Sequence, residues 1–277
     1  MKAYPQRMLR YSSHVATEVL IVIPTLGLRL DFLRQTLESI RIQRVEADIK
    51  VVAPASAGAA RELAHEFGAE VLDDPGSLPA AINLGVESAS PHHEYVNWLG
   101  DDDLLSDHSL ELTVGALVAN PRAVVAYGSC RYIDPQGNEL WVSKAGKWAE
   151  KILNWGPDLI PQPGMLIRAH SWHLAGGLDQ TLSHAFDLDL LLKLKELGEF
   201  ASVDQVVSSF RWHPDSLTVS DRTKSLDESE AIKRRYLSPT QTRLKWMWEK
   251  PVRIATRIAA IRLNKRAYRV SALKSSG

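Results

Sequence analysis

The sequence predicts an α/β protein: a Rossmann-like mixed, mostly parallel sheet flanked by helices, with a basic helical tail. Three observations carry the prediction. Short β-rich runs alternate with stretches of helical spacing through the first half, the pattern of βαβ units. An acidic triplet, Asp101-Asp102-Asp103, follows the apolar run 95–99, and open α/β sheets bind ligands at the carboxyl ends of their strands. The 277 residues, 45% hydrophobic and 24% charged, can bury a large core, and the single cysteine, Cys130, excludes an internal disulfide framework.

Residues 19–23 read as the first strand, closed by Pro24. A helix is expected over 31–43, where Phe32, Leu33, Leu37 and Ile40 fall near helical spacing and Asp31 is placed as N-cap. Strands at 49–53, 70–72 and 95–99 alternate with helices over 57–67 and 78–89, and a helix over 107–119 leads to a strand at 124–128. Beyond Gly128 the pattern changes. Residues 132–141 read as a hairpin turning at Pro135 and Gly137, and Trp141, Trp148 and Trp155 follow in a region without clear periodicity. A strand at 164–168 enters a short helix closed by Gly176-Gly177, where a left-handed cap suits glycine. A helix over 187–197 ends at Gly198, and two strands, 200–203 and 206–212, follow.

The formal net charge is zero, yet residues 1–232 hold 20 Lys+Arg against 32 Asp+Glu while residues 233–277 hold 13 against 1. A basic appendage on an acidic body points to an anionic partner, membrane surface or nucleic acid. Within the tail, Pro251 suits a helix start, Ile254, Ile258 and Ile261 share a face apart from Arg253 and Arg257, and tryptophans sit at one end. That pattern favours an interfacial helix on anionic lipid over nucleic acid. The alternative is a helix packed on the body or on a second subunit, which leaves an oligomer open. The run 19–23 is too short for a signal-peptide core or a membrane span, so a cytoplasmic protein is expected, held peripherally at the inner membrane face.

The segments IVIPTLGLRLDFLRQTLESI, LPAAINLGVESA, YVNWLGDDDLL and GMLIRAHSWHLAGGLDQTLSHAFDLDLLLKLKELG resemble the family 2 glycosyltransferases of GT-A fold, in order and at sensible separations from Val19 to Ser220. The resemblance implies sugar transfer from a nucleotide-sugar donor to a hydroxyl of a glycan or lipid-linked acceptor, with inversion, as in polysaccharide synthesis. It divides the chain into an extension (1–18), a catalytic domain (19–220) and the tail (221–277).

Under that resemblance the acidic triplet carries Mg²⁺ or Mn²⁺ beneath the donor diphosphate, since both ions favour hard oxygen ligands. Asp101 and Asp103 satisfy a plain DxD spacing. The family pattern DxDD laid over 100–103 instead puts glycine at the first acid, leaving Asp102 as principal ligand, Asp103 in support and Asp101 nearer the ribose. The bland alternative is a cluster of helix-start acids. Pro24, Thr25 and Asn83 are expected to face the nucleotide, Arg211 to offset diphosphate charge and His213 to ligate the metal or contact phosphate. A capping or solvated Asn83 and a structural His213 are the plainer readings. Asp187 matches the family's general base, which must take the acceptor proton, with Asp189 as the competing candidate. Trp98 and Trp155 could stack on sugars, but core packing is favoured for each. One departure stands out: after the second strand, Ala53-Pro54-Ala55-Ser56 lacks the family's base-recognising acid, for which Asp73 or Asp74 could substitute. The rival readings are a sugar-phosphate nucleotidyltransferase, which needs more glycine near the first strand than PTLGLRLD has, and a noncatalytic nucleotide-sugar or carbohydrate-binding protein.

Overall fold

The computed structural model describes residues 18–144, 146, 148–212, 222–247 and 250–254. Strands β1 (Val19–Pro24), β2 (Ala47–Ala53), β3 (Glu70–Asp73) and β4 (Tyr95–Trp98) alternate with helices α1 (Leu30–Arg41), α2 (Gly58–Glu66) and α3 (Leu78–Glu87). They pair in parallel in the order β3-β2-β1-β4. Central β1 is buried on both faces, which is why it reads as an unbroken apolar run. Val19, Ile21 and Ile23 pack with Leu33 and Leu37 of α1 on one face, and Leu20 and Val22 pack with Ile82 and Val86 of α3 on the other. Gly85 lets α3 ride directly on β1, because a Cβ there would collide with Val22.

The second half comprises β5 (Leu104–Leu105), α4 (Ser109–Ala119), β6 (Ala123–Ile133), β7 (Glu139–Ser143), α5 (Ala149–Ile152), β8 (Leu166–Arg168), α6 (Ala169–Ala175), α7 (Phe186–Leu197), β9 (Glu199–Arg211) and α8 (Arg222–Arg235). The sheet continues β4-β8-β6-β9-β5, with β8 antiparallel to both neighbours and β7 paired to β6. Three expectations change. The two strands predicted over 200–212 are one, β9, and β6 runs on through Gly128 to Ile133. Their pairing shifts register between Tyr127 and Ser129, where a Cβ on Gly128 would lie 2.8 Å from the Gln205 carbonyl oxygen. Glycine thus admits the irregular stretch of β9 instead of ending a strand. Asp31 is a first-turn acid, because α1 begins at Leu30 and Arg29 holds the cap position without a side-chain cap bond. The two-residue β5 and four-residue α5 lie below what periodicity can resolve. Among the described residues no helix is long and apolar enough to cross a membrane.

Helix α1 also buries a polar stripe that fixes the segment after β4. Thr36 Oγ1 donates to the Asp103 carbonyl (2.8 Å), Ser39 Oγ accepts from the Leu105 N–H (3.1 Å), and Gln43 Nε2 donates to the Ser106 carbonyl (3.0 Å). These residues recur at helical spacing along one face, so they track the segment step by step.

Arg211, the last residue of β9, is 1% exposed. Its Nε donates to the Asp102 carbonyl (2.9 Å), its Nη1 to the Pro135 carbonyl (3.0 Å) and its Nη2 to Gln35 Oε1 (2.8 Å). Its backbone N–H donates to Asp103 Oδ1 (3.0 Å), and the guanidinium carbon sits 4.3 Å from the centroid of the Phe32 ring. Burial pulls the guanidinium pKa down, while Asp102, Asp103 and Asp134 pull it back up. One side chain therefore joins α1, the acidic loop, the β6–β7 turn and β9. Arg211→Met keeps the stem but removes every donor, and should cost about 3–5 kcal/mol of unfolding free energy. The readout is a lower urea midpoint at unchanged m-value. Arg211→Lys should recover only part, since one ammonium cannot span three separate acceptors. A wild-type midpoint for Arg211→Met would refute the clamp.

Candidate active site

A cavity of about 980 Å³ opens beyond the carboxyl ends of β1 and β4. Thr25 and the acids Asp101, Asp102 and Asp103 line it from the strand ends. Asp158, Asp187 and Lys233 line it from the segment before β8, the first turn of α7 and helix α8.

The three adjacent acids have three separate environments. Asp101 Oδ2 accepts a short hydrogen bond from Thr25 Oγ1, whose oxygen in turn accepts the Gly27 N–H (3.0 Å). Asp102 Oδ2 pairs with Arg29 Nη1 at 2.7 Å. Asp103 is 4% exposed, and its carboxyl pKa stands well above the ordinary range because of burial first and the neighbouring Asp102 second. The Arg211 N–H partly offsets that rise. Like-charge crowding is thus relieved by spreading the acids over different partners. Glycine at position 100 fits tightly: a Cβ there would lie 3.0 Å from oxygens of both Asp102 and Asp103.

Asp187 is the second residue of α7, half-buried, with Oδ1 accepting the Leu188 N–H (2.8 Å). Its pKa is pushed up to about 7 by burial, then by the charges of Asp158 and Glu228, against the pull of backbone N–H groups. Asp158 is pushed up to about 6 by burial, opposed by the Ile160 N–H and the Lys233 ammonium. Its exposed area opens into the cavity, where surrounding protein limits hydration. Asp189 is 1% exposed, pairs with Lys193 Nζ at 2.7 Å and accepts from Tyr236 Oη, outside the cavity lining. The two candidate bases are thereby separated: Asp187 faces the cleft and Asp189 the core.

Pro24 and Thr25 line the cavity as expected for nucleotide contacts. Asn83 does not. Its amide Nδ2 donates to the Leu178 carbonyl and its Oδ1 accepts the Leu178 N–H, both at 2.9 Å, so it fastens α3 to the loop after α6. Arg211 is likewise turned from the cavity, its donors taken by the acidic loop and its surroundings. His213 lies outside the described residues. Trp98 and Trp155 both line the cavity, but Trp98 is core, 4% exposed, whereas Trp155 is 39% exposed. Of the acids after β3, Asp73 pairs with Arg61 at 2.8 Å, while Asp74 lines the cavity. The sequence reading passes over Arg29, Asp158 and Lys233, for which the only signal is charge in segments without periodicity.

Asp48, His92 and His93 form a separate cluster at the amino ends of the parallel strands, the edge away from the cleft. His93 Nδ1 accepts the Ser90 N–H (2.9 Å), which places the proton on Nε2, 2.8 Å from Asp48 Oδ2. A metal ion at Nε2 would have to displace that proton, so the arrangement is that of an ordinary His–Asp hydrogen bond.

Comparison with known proteins bears on family and fold. The chain is 23% identical to a chondroitin synthase of Pasteurella multocida over 150 residues, covering 53% of this chain and 15% of that one. It is 24% identical to a hyaluronan synthase of the same species over 148 residues, covering 52% and 14%. It thus spans only a small part of the length of either relative. Among solved structures, a mannosyltransferase from Pyrobaculum calidifontis in complex with GDP-Man and Mn²⁺ superposes with a TM-score of 0.62 at 17% identity, over 94% of this chain and 76% of the other. TarS residues 1–349 from S. aureus gives 0.57 at 13% identity, over 78% and 65%. The architecture is the expected GT-A fold. Residues 20–175, more than half of the chain, match the model of glycosyl transferase family 2, and the chain belongs to that family.

Proposed function

We propose that the chain transfers a sugar from a nucleotide-sugar donor to a hydroxyl of a glycan or lipid-linked acceptor, with inversion and with Asp187 as general base. The observation that carries this reading is one cavity lined both by the acidic loop after β4 and by a carboxylate whose pKa stands near 7. A base poised near the working pH is what proton abstraction from a hydroxyl requires. In the step, the acceptor oxygen attacks the anomeric carbon as its proton passes to Asp187. The bond from that carbon to the diphosphate breaks, and its electron pair leaves with the nucleoside diphosphate.

Asp101 and Asp102 offer hard carboxylate oxygens at the cavity and fit Mg²⁺ or Mn²⁺, with Asp102 as principal ligand and Asp103 behind it. When bound, such an ion offsets charge on the departing diphosphate. The superposing mannosyltransferase, solved with GDP-Man and Mn²⁺, supports this reading. The basic tail is proposed to hold the enzyme on anionic membrane: residues 255–277 carry six basic residues and no acid.

Four outcomes are expected. Asp102→Ala should abolish the Mn²⁺-dependent gain in affinity for UDP or GDP by calorimetry while leaving the protein folded; an undiminished gain would remove Asp102 from the site. Asp187→Asn should lower transfer by about 10²–10⁴-fold with donor affinity nearly unchanged, and Asp189→Asn should not mimic that split. Because the folded pKa of Asp187 exceeds the unfolded one, its contribution to stability is fully present at low pH and lost as pH rises through about 7. Asp187→Asn should therefore melt higher than wild type at pH 8 and lose that advantage by pH 4; no such crossover would contradict the environment described. Ending the chain after Ile254 should weaken binding to phosphatidylserine vesicles in a salt-dependent way while sparing donor turnover; undiminished vesicle binding would refute the membrane role.

A further inference from the structure

Helix α7, which carries Asp187, begins without a cap of its own. Ala185 holds its N-cap position and makes no side-chain cap bond, although the first turn of a helix leaves N–H groups needing acceptors. What α8 supplies is an acceptor for the amides of the chain just ahead of that first turn. Glu228 Oε1 accepts the Ser183 N–H (3.0 Å), and Glu228 Oε2 accepts the N–H groups of His184 and Ala185 (both 2.7 Å). Three consecutive amides from more than forty residues upstream thus converge on one carboxylate. Burial raises the Glu228 pKa, but the three amides outweigh it and hold the carboxyl below its ordinary value, so it stays charged.

The rest of α8 is fastened to the same neighbourhood. Ile232 is fully buried in the core cluster that holds Leu188, Leu191 and Leu192 of α7. Lys233 Nζ donates to the Gly156 carbonyl, two residues before Asp158. Just after the helix, Tyr236 Oη donates to Asp189 Oδ1 (3.3 Å) and the Tyr236 carbonyl accepts from Asn154 Nδ2 (3.4 Å). Helix α8 therefore touches both segments that bring carboxylates to the cavity, the one holding Asp158 and the one holding Asp187.

We propose that Glu228 is a positioning residue for Asp187, and that α8 is part of the catalytic unit, setting the place of the base through the amides of residues 183–185. The proposal rests on the reading of Asp187 as base. A charged carboxylate gathering three amides is a stiff connection, and displacement of a reacting group by about 1 Å can cost about 10²-fold in rate. Glu228 also acts on Asp187 through space, as one of the charges that disfavour its ionised form. Asp158 from the preceding segment and Glu228 from α8 act on Asp187 through their charge, and the titratable side chains of His184, Glu230, Lys233, Arg234 and Arg253 line the same cavity. Glu230 is paired with Arg253 (2.9 Å).

The test compares Glu228→Gln and Glu228→Ala with wild type and with Asp187→Asn in the full chain. Three quantities are read: amide exchange of the peptide spanning residues 183–185, the pH dependence of transfer, and the affinity for UDP or GDP with Mn²⁺. Glu228→Gln keeps an acceptor but loses the charge. It should speed exchange in that peptide, lower kcat about tenfold, move the acidic limb of the pH profile to lower pH, and leave nucleotide affinity unchanged. Glu228→Ala should lower kcat by about 10²-fold; if it fails to fold, the Gln variant carries the test. Wild-type exchange with a superimposable pH profile in Glu228→Gln would overturn the proposal. A fall in kcat with an unmoved acidic limb would reduce Glu228 to a structural cap and overturn it too. Retained transfer by Asp187→Asn would instead sink the base assignment, and the exchange data would still report whether Glu228 holds the loop.

Discussion

The Arg211 guanidinium is the fixed point around which the acidic end of the cleft is arranged. Three adjacent carboxylates repel one another, and a loop carrying them would swing toward solvent unless its main chain were held. Arg211 and Thr36 hold that main chain through the carbonyls of Asp102 and Asp103. The side chains of Asp101 and Asp102 are thereby left for Thr25, Arg29 and the cavity. A planar fork with several fixed donors suits this task, because its acceptors lie on three different elements. The same contacts explain the polar stripe inside α1, which gives the carbonyls of Asp103 and Ser106 and the Leu105 N–H their side-chain partners.

The cavity holds its carboxylates in two different conditions. Asp101 and Asp102 have a hydroxyl and a guanidinium against them. Asp158 and Asp187 sit where burial favours the neutral form, and the charges of Asp158 and Glu228 add to this at Asp187. A cation is welcome in the first environment, and a proton can be taken or released near neutral pH in the second. Keeping Asp187 available carries a stability cost at alkaline pH that the fold bears through the core around α7.

Much of this was legible in the sequence, and what was not has physical reasons. The parallel strands β1 to β4 and helices α1 to α3 follow from alternating apolar periods, since all but the edge strand β3 bury apolar residues in the core. Asp187 and the acidic loop were found through motif order. Asn83 and Arg211 were placed at the donor by their match to the family pattern. Their partners, Leu178 and the carbonyls of Asp102 and Pro135, lie 95, 109 and 76 positions away, a separation no local pattern encodes. Asp158 sits in a Pro-rich stretch with no period to orient it. Glu228 looks like one more acid on a charged helix, and only the folded chain shows what it gathers.

Strand β8 has a consequence for how the chain can be made. The strands on either side of it, β4 and β6, both precede it in the sequence, and they are joined through three residues: Ile167 pairs with Val96 on one side and Val125 on the other. Arg168 reinforces the seam by donating to the carbonyls of Ala123 (2.8 Å) and Leu117 (2.7 Å). A chain emerging from the ribosome can assemble β3-β2-β1-β4 from its first hundred residues, but the sheet stays open at β4 until residues 166–168 arrive to fill the gap. Contacts that span so much sequence form late and slowly. During that interval Val96 and its neighbours present an unpaired edge, and shielding it is a task for the cell's folding machinery rather than for the finished fold.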